Sequence, residues 1–202
     1  MSYQFLKDDV LFYQRLLKSV GLYTSKLDGD WGPKTTKADN DFMAGYNSLK
    51  AQYGEFDPRS ERNIITLHPK AQEEARKFLT LAQGGLFEVR IISGTRTYAE
   101  QDALYKQGRY GNPGRIVTKA KGGQSNHNFA IAWDIGLFDS KGYNVLEANY
   151  IALAKMVMPN ISTLEWGGDW KSIKDNPHYQ LKAVSDSTAA IRQKFENGEA
   201  YV

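Results

Sequence analysis

The chain has 202 residues, 41% of them hydrophobic and 24% charged, enough apolar material for one substantial domain, or a small and a medium one, and too much for gross disorder. Lys and Arg outnumber Asp and Glu by 26 to 23, a weak basic bias that suits an anionic polymer such as a cell wall. Without a dense Lys/Arg stripe interleaved with aromatics, nucleic acid is excluded as an expected partner. Cysteine is absent, so thiolate zinc, iron–sulfur clusters and disulfides are excluded, and any metal site must be built from His, Asp and Glu.

The first residues, Met-Ser-Tyr-Gln-Phe-Leu-Lys, lack the basic and apolar regions of a secretory leader, and no apolar run approaches the length of a membrane span. Cytoplasmic synthesis without a signal peptide is therefore expected. Residues 5–21 have helical period, with Val10, Tyr13, Leu17 and Val20 on one face beside Leu16, and Gly21 as a stop. A turn-rich stretch follows, Leu27-Asp28-Gly29-Asp30-Trp31-Gly32-Pro33. Pro33 suits the first position of a second helix, which carries Ala38, Phe42 and Met43 inward and is expected to end near Gly45. Periodicity alone leaves this pair of helices as either a cap on a larger domain or a module of its own.

The order of these residues resembles the small helical peptidoglycan-binding domain attached to many cell-wall hydrolases, over residues 5–46. The resemblance rests on Asp28-Gly29, the aromatic Trp31, Gly32-Pro33, Thr35, Ala38 and Phe42. It implies a wall-binding role for Asp28, Gly29, Trp31 and Gly32. Asp39 departs from the pattern, standing where that family usually has an aliphatic residue.

Residues 47–62 are polar, contain Gly54 and Pro58, and have no sustained period, which reads as a joint. The expected division is thus a module over 1–50, a linker over 51–62 and a second domain over 63–202. His68-Pro69 opens a helix through Ala71, Ala75, Phe78 and Ala82 that ends at Gly84-Gly85. His68 itself reads as structural. Phe87–Ile92 alternates and is β-branched, a strand, and Ser93–Thr97 is its exit turn. A short helix is expected over Ala99–Gln107, a basic glycine-rich loop over 108–123, a second strand over Ile131–Phe138 and a further helix over Tyr150–Val157. Helices and strands mix without a βαβ rhythm, so the fold class is α+β.

Two of the only three histidines stand near carboxylates, in Ser125-Asn126-His127-Asn128 followed by Asp134, and in Asp175-Asn176-Pro177-His178. Two imidazoles and one carboxylate (His127, Asp134, His178) are the donors of a catalytic zinc that keeps its fourth tetrahedral position open. Asp175, three residues before the last histidine, would be the base. The other reading of the same spacing is structural, and spacing alone does not choose between them. Glu165 and Asp169, flanking Trp166-Gly167-Gly168, read as partners of a ligand imidazole or as solvated loop carboxylates.

The ordered series Leu67-His68-Pro69, Ser93-Gly94-Thr95-Arg96-Thr97, Gly122-Gly123-Gln124-Ser125-Asn126-His127, Asp134-Ile135 and Trp166-Gly167-Gly168-Asp169-Trp170 through His178 is similar to the zinc peptidase family of bacterial cell-wall enzymes. That family holds D-Ala-D-Ala carboxypeptidases, VanY-like vancomycin-resistance dipeptidases and L-alanyl-D-glutamate endopeptidases of phage endolysins, and the likeness covers about residues 64–181. It implies a hedgehog/D-Ala-D-Ala-peptidase-like domain with a mainly antiparallel sheet flanked by helices, and Zn2+ held by His127, Asp134 and His178. It also implies Asp175 as general base and Arg96 as a catalytic and substrate-binding fork for a carboxylate or oxyanion. Ser125, Trp166 and Trp170 would bind substrate. The expected protein is a monomeric zinc metallopeptidase that lyses the wall by cutting the L-Ala–D-Glu bond of peptidoglycan, after holin-type release or injection. The alternatives are a D,D-carboxypeptidase and a non-catalytic zinc-containing wall-binding protein, as in hedgehog.

Overall fold

A computed structural model describes residues 6–171, 174–183 and 187–202. Residues 1–5, on which the absence of a leader was read, lie outside the described residues. In chain order the helices are α1 (Lys7–Ser19), α2 (Pro33–Tyr53), α3 (Pro58–Ile64), α4 (Pro69–Ala82), α5 (Tyr98–Lys106), α6 (Glu147–Val157) and α7 (Thr188–Asn197). The strands are β1 (Glu88–Ser93), β2 (Ala132–Asp139), β3 (Gly142–Asn144), β4 (Leu164–Trp166) and β5 (His178–Leu181). Every strand pair is antiparallel, with β1-β2-β5-β4 in order and β3 paired with β2, so the α+β expectation holds. Among the described residues no helix is long and apolar enough to cross a membrane.

Contacts divide the chain into two compact units, Met1–Gly45 with Arg96–Phe129 and Ala183–Val202, and Tyr46–Thr95 with Ala130–Lys182. This grouping differs from the expected division at residues 50 and 63. In the first unit α1 shares its apolar face with α7 and α5: the Phe12 ring lies 5.1 Å from Phe195 and 5.9 Å from Tyr98. Helix α1 is therefore packed with α5 and α7 within that unit. The glycine expected to end α2, Gly45, is helical, and the stop comes at Gly54, whose φ of +88° suits glycine and whose N–H donates to the Lys50 carbonyl. Much of the expected joint is thus helix, with Asp57 capping α3 through the N–H groups of Arg59 and Ser60.

One polar side chain organises the turn after α1. Gln14 is buried; its Oε1 accepts from the N–H groups of Asp28 (3.1 Å) and Gly29 (2.9 Å), and its Nε2 donates to the Asp30 carbonyl (2.9 Å) and Asp28 Oδ1 (3.0 Å). Gly29 has φ +72°, and a Cβ there would stand 2.6 Å from the Lys7 carbonyl oxygen. Asp39, the departure from the helical family pattern, accepts a 2.8 Å hydrogen bond from the Tyr13 hydroxyl. Burial, and then the Asp39 carboxylate, push that phenol well above its ordinary range. The position therefore carries a hydrogen-bonded pair where packing alone would serve elsewhere.

The second unit is built on the sheet, and its pleat separates two chemistries. Register places Ile91 opposite Ile135, Val89 opposite Leu137, and Trp133 opposite Tyr179, which in turn faces Trp166. These side chains form the packed face, where the Tyr179 ring lies 4.5 Å from Phe78 of α4. The alternate positions, Asp134, His178, Gln180 and Glu165, share the other face. His68 caps α4, its Nδ1 accepting from the Lys70 N–H at 3.2 Å, and burial, aided by Lys70, depresses its pKa to about 4. The unfolded chain binds this proton near the ordinary 6.5, so folding stability should fall as pH drops from about 6.5 to about 4, by up to about 3 kcal/mol. Urea unfolding of parent and His68→Asn across that window should show the parent losing stability that the variant does not.

Candidate metal centre

Asp134 and His178 are cross-strand partners on β2 and β5, on the face left free of the apolar core. His178 Nδ1 lies 3.1 Å from Asp134 Oδ1, and its Nε2 lies 3.0 Å from Gln180 Oε1. Burial works against protonation of His178, but the Asp134 carboxylate, together with Gln180 and Asp175, outweighs it and raises the pKa above the usual histidine value. His127 sits on a short 3-10 turn (Asn126–Phe129) just before β2 and is 1% exposed. One donor atom each from His127, Asp134 and His178 fall within 4.8 Å of one another. A tetrahedral ion with bonds of about 2.0–2.2 Å holds its ligands roughly 3.3 Å apart, so small side-chain adjustments would seat one. The donor set, two imidazoles and a carboxylate, fits a catalytic divalent metal.

Asp175 is positioned by its backbone. Its N–H donates to the Gly167 carbonyl at 3.0 Å, and its carbonyl accepts from the His178 N–H at 3.2 Å, so the Asp175–His178 turn is closed at both ends. Gly167 leaves the space for this turn, because a Cβ there would collide with the Asp175 carbonyl oxygen. Gly167→Ala should therefore displace Asp175 and His178 together and weaken binding of a divalent metal roughly 10–100-fold, measured by competition with a chelator. The Trp166 indole N–H donates to the Asn176 carbonyl at 2.8 Å from the packed side of the sheet, which pins the same turn. Trp166, expected to bind substrate, is thus largely buried, on the face opposite Asp134 and His178. Trp170 is half-buried and its ring lies 4.9 Å from the His178 imidazole.

Around His127 the organiser is Asn128, a buried residue that composition and spacing did not single out. Its Oδ1 accepts from the N–H groups of Gly123 (3.0 Å) and Ser125 (3.3 Å), and its amide donates to the Arg96 carbonyl (2.8 Å). The Arg96 N–H donates in turn to the His127 carbonyl at 3.1 Å. Arg96, Ser125 and His127 are thereby tied into one small backbone arrangement. Of the four expected wall contacts, Asp28 and Gly29 serve the Gln14 turn, while Trp31 is 38% exposed and stacks 6.1 Å from Tyr13.

The profile of a family described as D-alanyl-D-alanine carboxypeptidase matches residues 118–181, a span that includes His127, Asp134, Asp175 and His178 but not Arg96. Over 123 residues the chain is 37% identical to the peptidoglycan L-alanyl-D-glutamate endopeptidase CwlK of Bacillus subtilis, covering 57% of this chain and 73% of that protein. The chain belongs to the VanY-like D-alanyl-D-alanine carboxypeptidase family. As a member it is a metallopeptidase, and the His127–Asp134–His178 cluster is its possible metal site. The crystal structure of the Serratia marcescens L-Ala D-Glu endopeptidase ChiX is also similar, at 26% identity and TM-score 0.49, covering 63% of this peptidase and 89% of that chain.

Proposed function

We propose that this metallopeptidase hydrolyses peptidoglycan at the L-Ala–D-Glu bond of the stem peptide, using zinc held by His127, Asp134 and His178. The observation that carries the reading is the convergence of those three donors in a chain 37% identical to an L-alanyl-D-glutamate endopeptidase, over 57% of this chain and 73% of that protein. Zinc at this site would act as a Lewis acid that makes water a usable nucleophile near neutral pH and polarises the scissile carbonyl.

The chain's own groups do the rest. Asp175 takes the proton from the attacking water and passes it to the departing D-Glu amine, held close to His178 by the closed turn. Arg96 offers a charged fork to a stem-peptide carboxylate or the developing oxyanion. Ser125 orients substrate beside it, and the Trp170 face bounds the site next to His178. The region around Trp31 holds the enzyme on the wall polymer, which raises the effective concentration of cleavable bonds. Release across the membrane by a holin-type pore, or injection, would bring it to that wall and make it bacteriolytic.

The test is digestion of purified peptidoglycan with and without a chelator, followed by mass spectrometry of the new termini. A freed D-Glu amino group is the expected product, abolished by the chelator and restored by zinc. Loss of a single terminal D-Ala would instead make the protein a D,D-carboxypeptidase. The absence of any chelator-sensitive product would make it a binding protein.

A further inference from the structure

On the metal face of the sheet, polar side chains form a row that reaches beyond the ligands. Glu165 on β4 lies opposite Gln180 on β5, and Gln180 is two residues, hence one same-face step, from His178. Gln180 Nε2 donates to Glu165 Oε2 at 2.8 Å, and Gln180 Oε1 lies 3.0 Å from His178 Nε2. Gln180 and His178 are both buried.

The donors along this row follow from the carboxylate at its end. An ionised carboxylate only accepts, so Glu165 must face the amide nitrogen of Gln180. The amide oxygen is then turned to His178, and that oxygen also only accepts. His178 Nε2 must therefore carry a hydrogen and is not open to a metal, which leaves Nδ1 as the ligating nitrogen, a bound ion taking the place of any hydrogen it shares with Asp134. Nδ1 is the atom that faces Asp134. A Gln180 amide turned the other way would present N–H to Nε2 and drive the proton onto Nδ1, where it would block the ligand.

We propose that Gln180, with its amide orientation set by Glu165, is a positioning residue that holds the His178 Nε2–H and ring and so presents Nδ1 to the metal. The inference rests on His178 being a metal ligand, as read under the proposed function. Its cost is expected in metal affinity, since a partner that holds a ligating imidazole typically contributes 10–100-fold.

The experiment measures Zn2+ affinity of the metal-free full-length protein by competition with a chelator of known affinity. ¹⁵N spectra of the chain's three histidines report which His178 nitrogen carries hydrogen. Gln180→Leu, which removes the acceptor, should bind Zn2+ about 10–100-fold more weakly, and the His178 Nε2–H should lose its hydrogen-bonded ¹⁵N shift. The exchange variant Glu165→Gln with Gln180→Glu keeps the volumes. It puts an acceptor on His178 and a donor on residue 165, so it should bind within about threefold of the parent or more tightly, with the Nε2–H form retained. Parent-like affinity in Gln180→Leu, or an exchange variant that folds and binds as weakly as a lost ligand, would overturn the relay. If Gln180→Leu does not fold, the exchange variant alone decides. His178→Ala separates the two levels. Should it keep parent affinity, the ligand assignment fails; should it bind weakly while Gln180→Leu binds normally, only the relay fails.

Discussion

Replacing Asp175 by Ala should leave zinc affinity within about threefold of the parent and lower turnover on peptidoglycan by roughly 10²–10⁴. The expectation follows from how Asp175 is held. Its backbone N–H and carbonyl close the turn to Gly167 and His178, and those bonds survive removal of the side chain. The ligand His178 therefore keeps its place while the proton acceptor is lost. His127→Ala, by contrast, should lose metal and turnover together, because one of three donors goes. Metal content by mass spectrometry, measured beside the rate of new D-Glu amino termini, distinguishes the two variants. Full activity in Asp175→Ala would sink the assignment of the base, and loss of zinc in the same variant would make Asp175 a ligand instead.

The second large effect is expected far from the metal. Arg76 of α4 is 0% exposed and makes two hydrogen bonds to Glu61 of α3, at 3.0 and 2.7 Å. Glu61 also accepts from the Tyr46 hydroxyl (2.6 Å) and the Phe56 N–H (2.8 Å), and Arg76 donates to the Gly54 carbonyl (3.0 Å). Burial disfavours the ionised Glu61, but the Arg76, Phe56 and Tyr46 hydrogen bonds together hold its pKa below the ordinary value. Arg76→Met strands that carboxylate in the interior, and the cost should be about 3–5 kcal/mol. For a chain of this size that is a fall in Tm of about 10 °C or more by circular dichroism. Glu61→Leu combined with Arg76→Met removes both charges and should recover most of the loss, because the pair's desolvation cost disappears with its attraction. A double variant as unstable as Arg76→Met alone would show that the network acts through packing and not through charge.

Much of the secondary structure was legible because it is local. Pro33 and Pro69 start helices, Gly84 follows a helix end, and the alternation of residues 87–92 makes β1. The errors share a physical cause. Gly45 reads as a stop, yet glycine inside a helix costs only about 1 kcal/mol, and the residues after it are good helix formers. Gln14 interrupts an apolar face and looks out of place until the turn it holds is seen. Asn128 is likewise legible only through the backbone groups it gathers around Arg96 and Ser125. β5 has four residues, too few for a period, and its identity comes from its partners on β2 and β4.

By itself the sequence determined the chemistry that this protein can carry. Without cysteine, a metal must take His, Asp or Glu, and His127, Asp134, Asp175 and His178 stand in the order of a metallopeptidase. What only the tertiary structure decided is which atoms meet: that Asp134 and His178 face one another across β2 and β5, that Trp166 belongs to the packed face, and that Glu165 reaches the metal side through Gln180. The division has a physical reason. Ligand type is a property of one side chain, whereas tautomer, orientation and approach are set by cross-strand neighbours distant in the chain, and a one-residue change of register would send each of them to the other face.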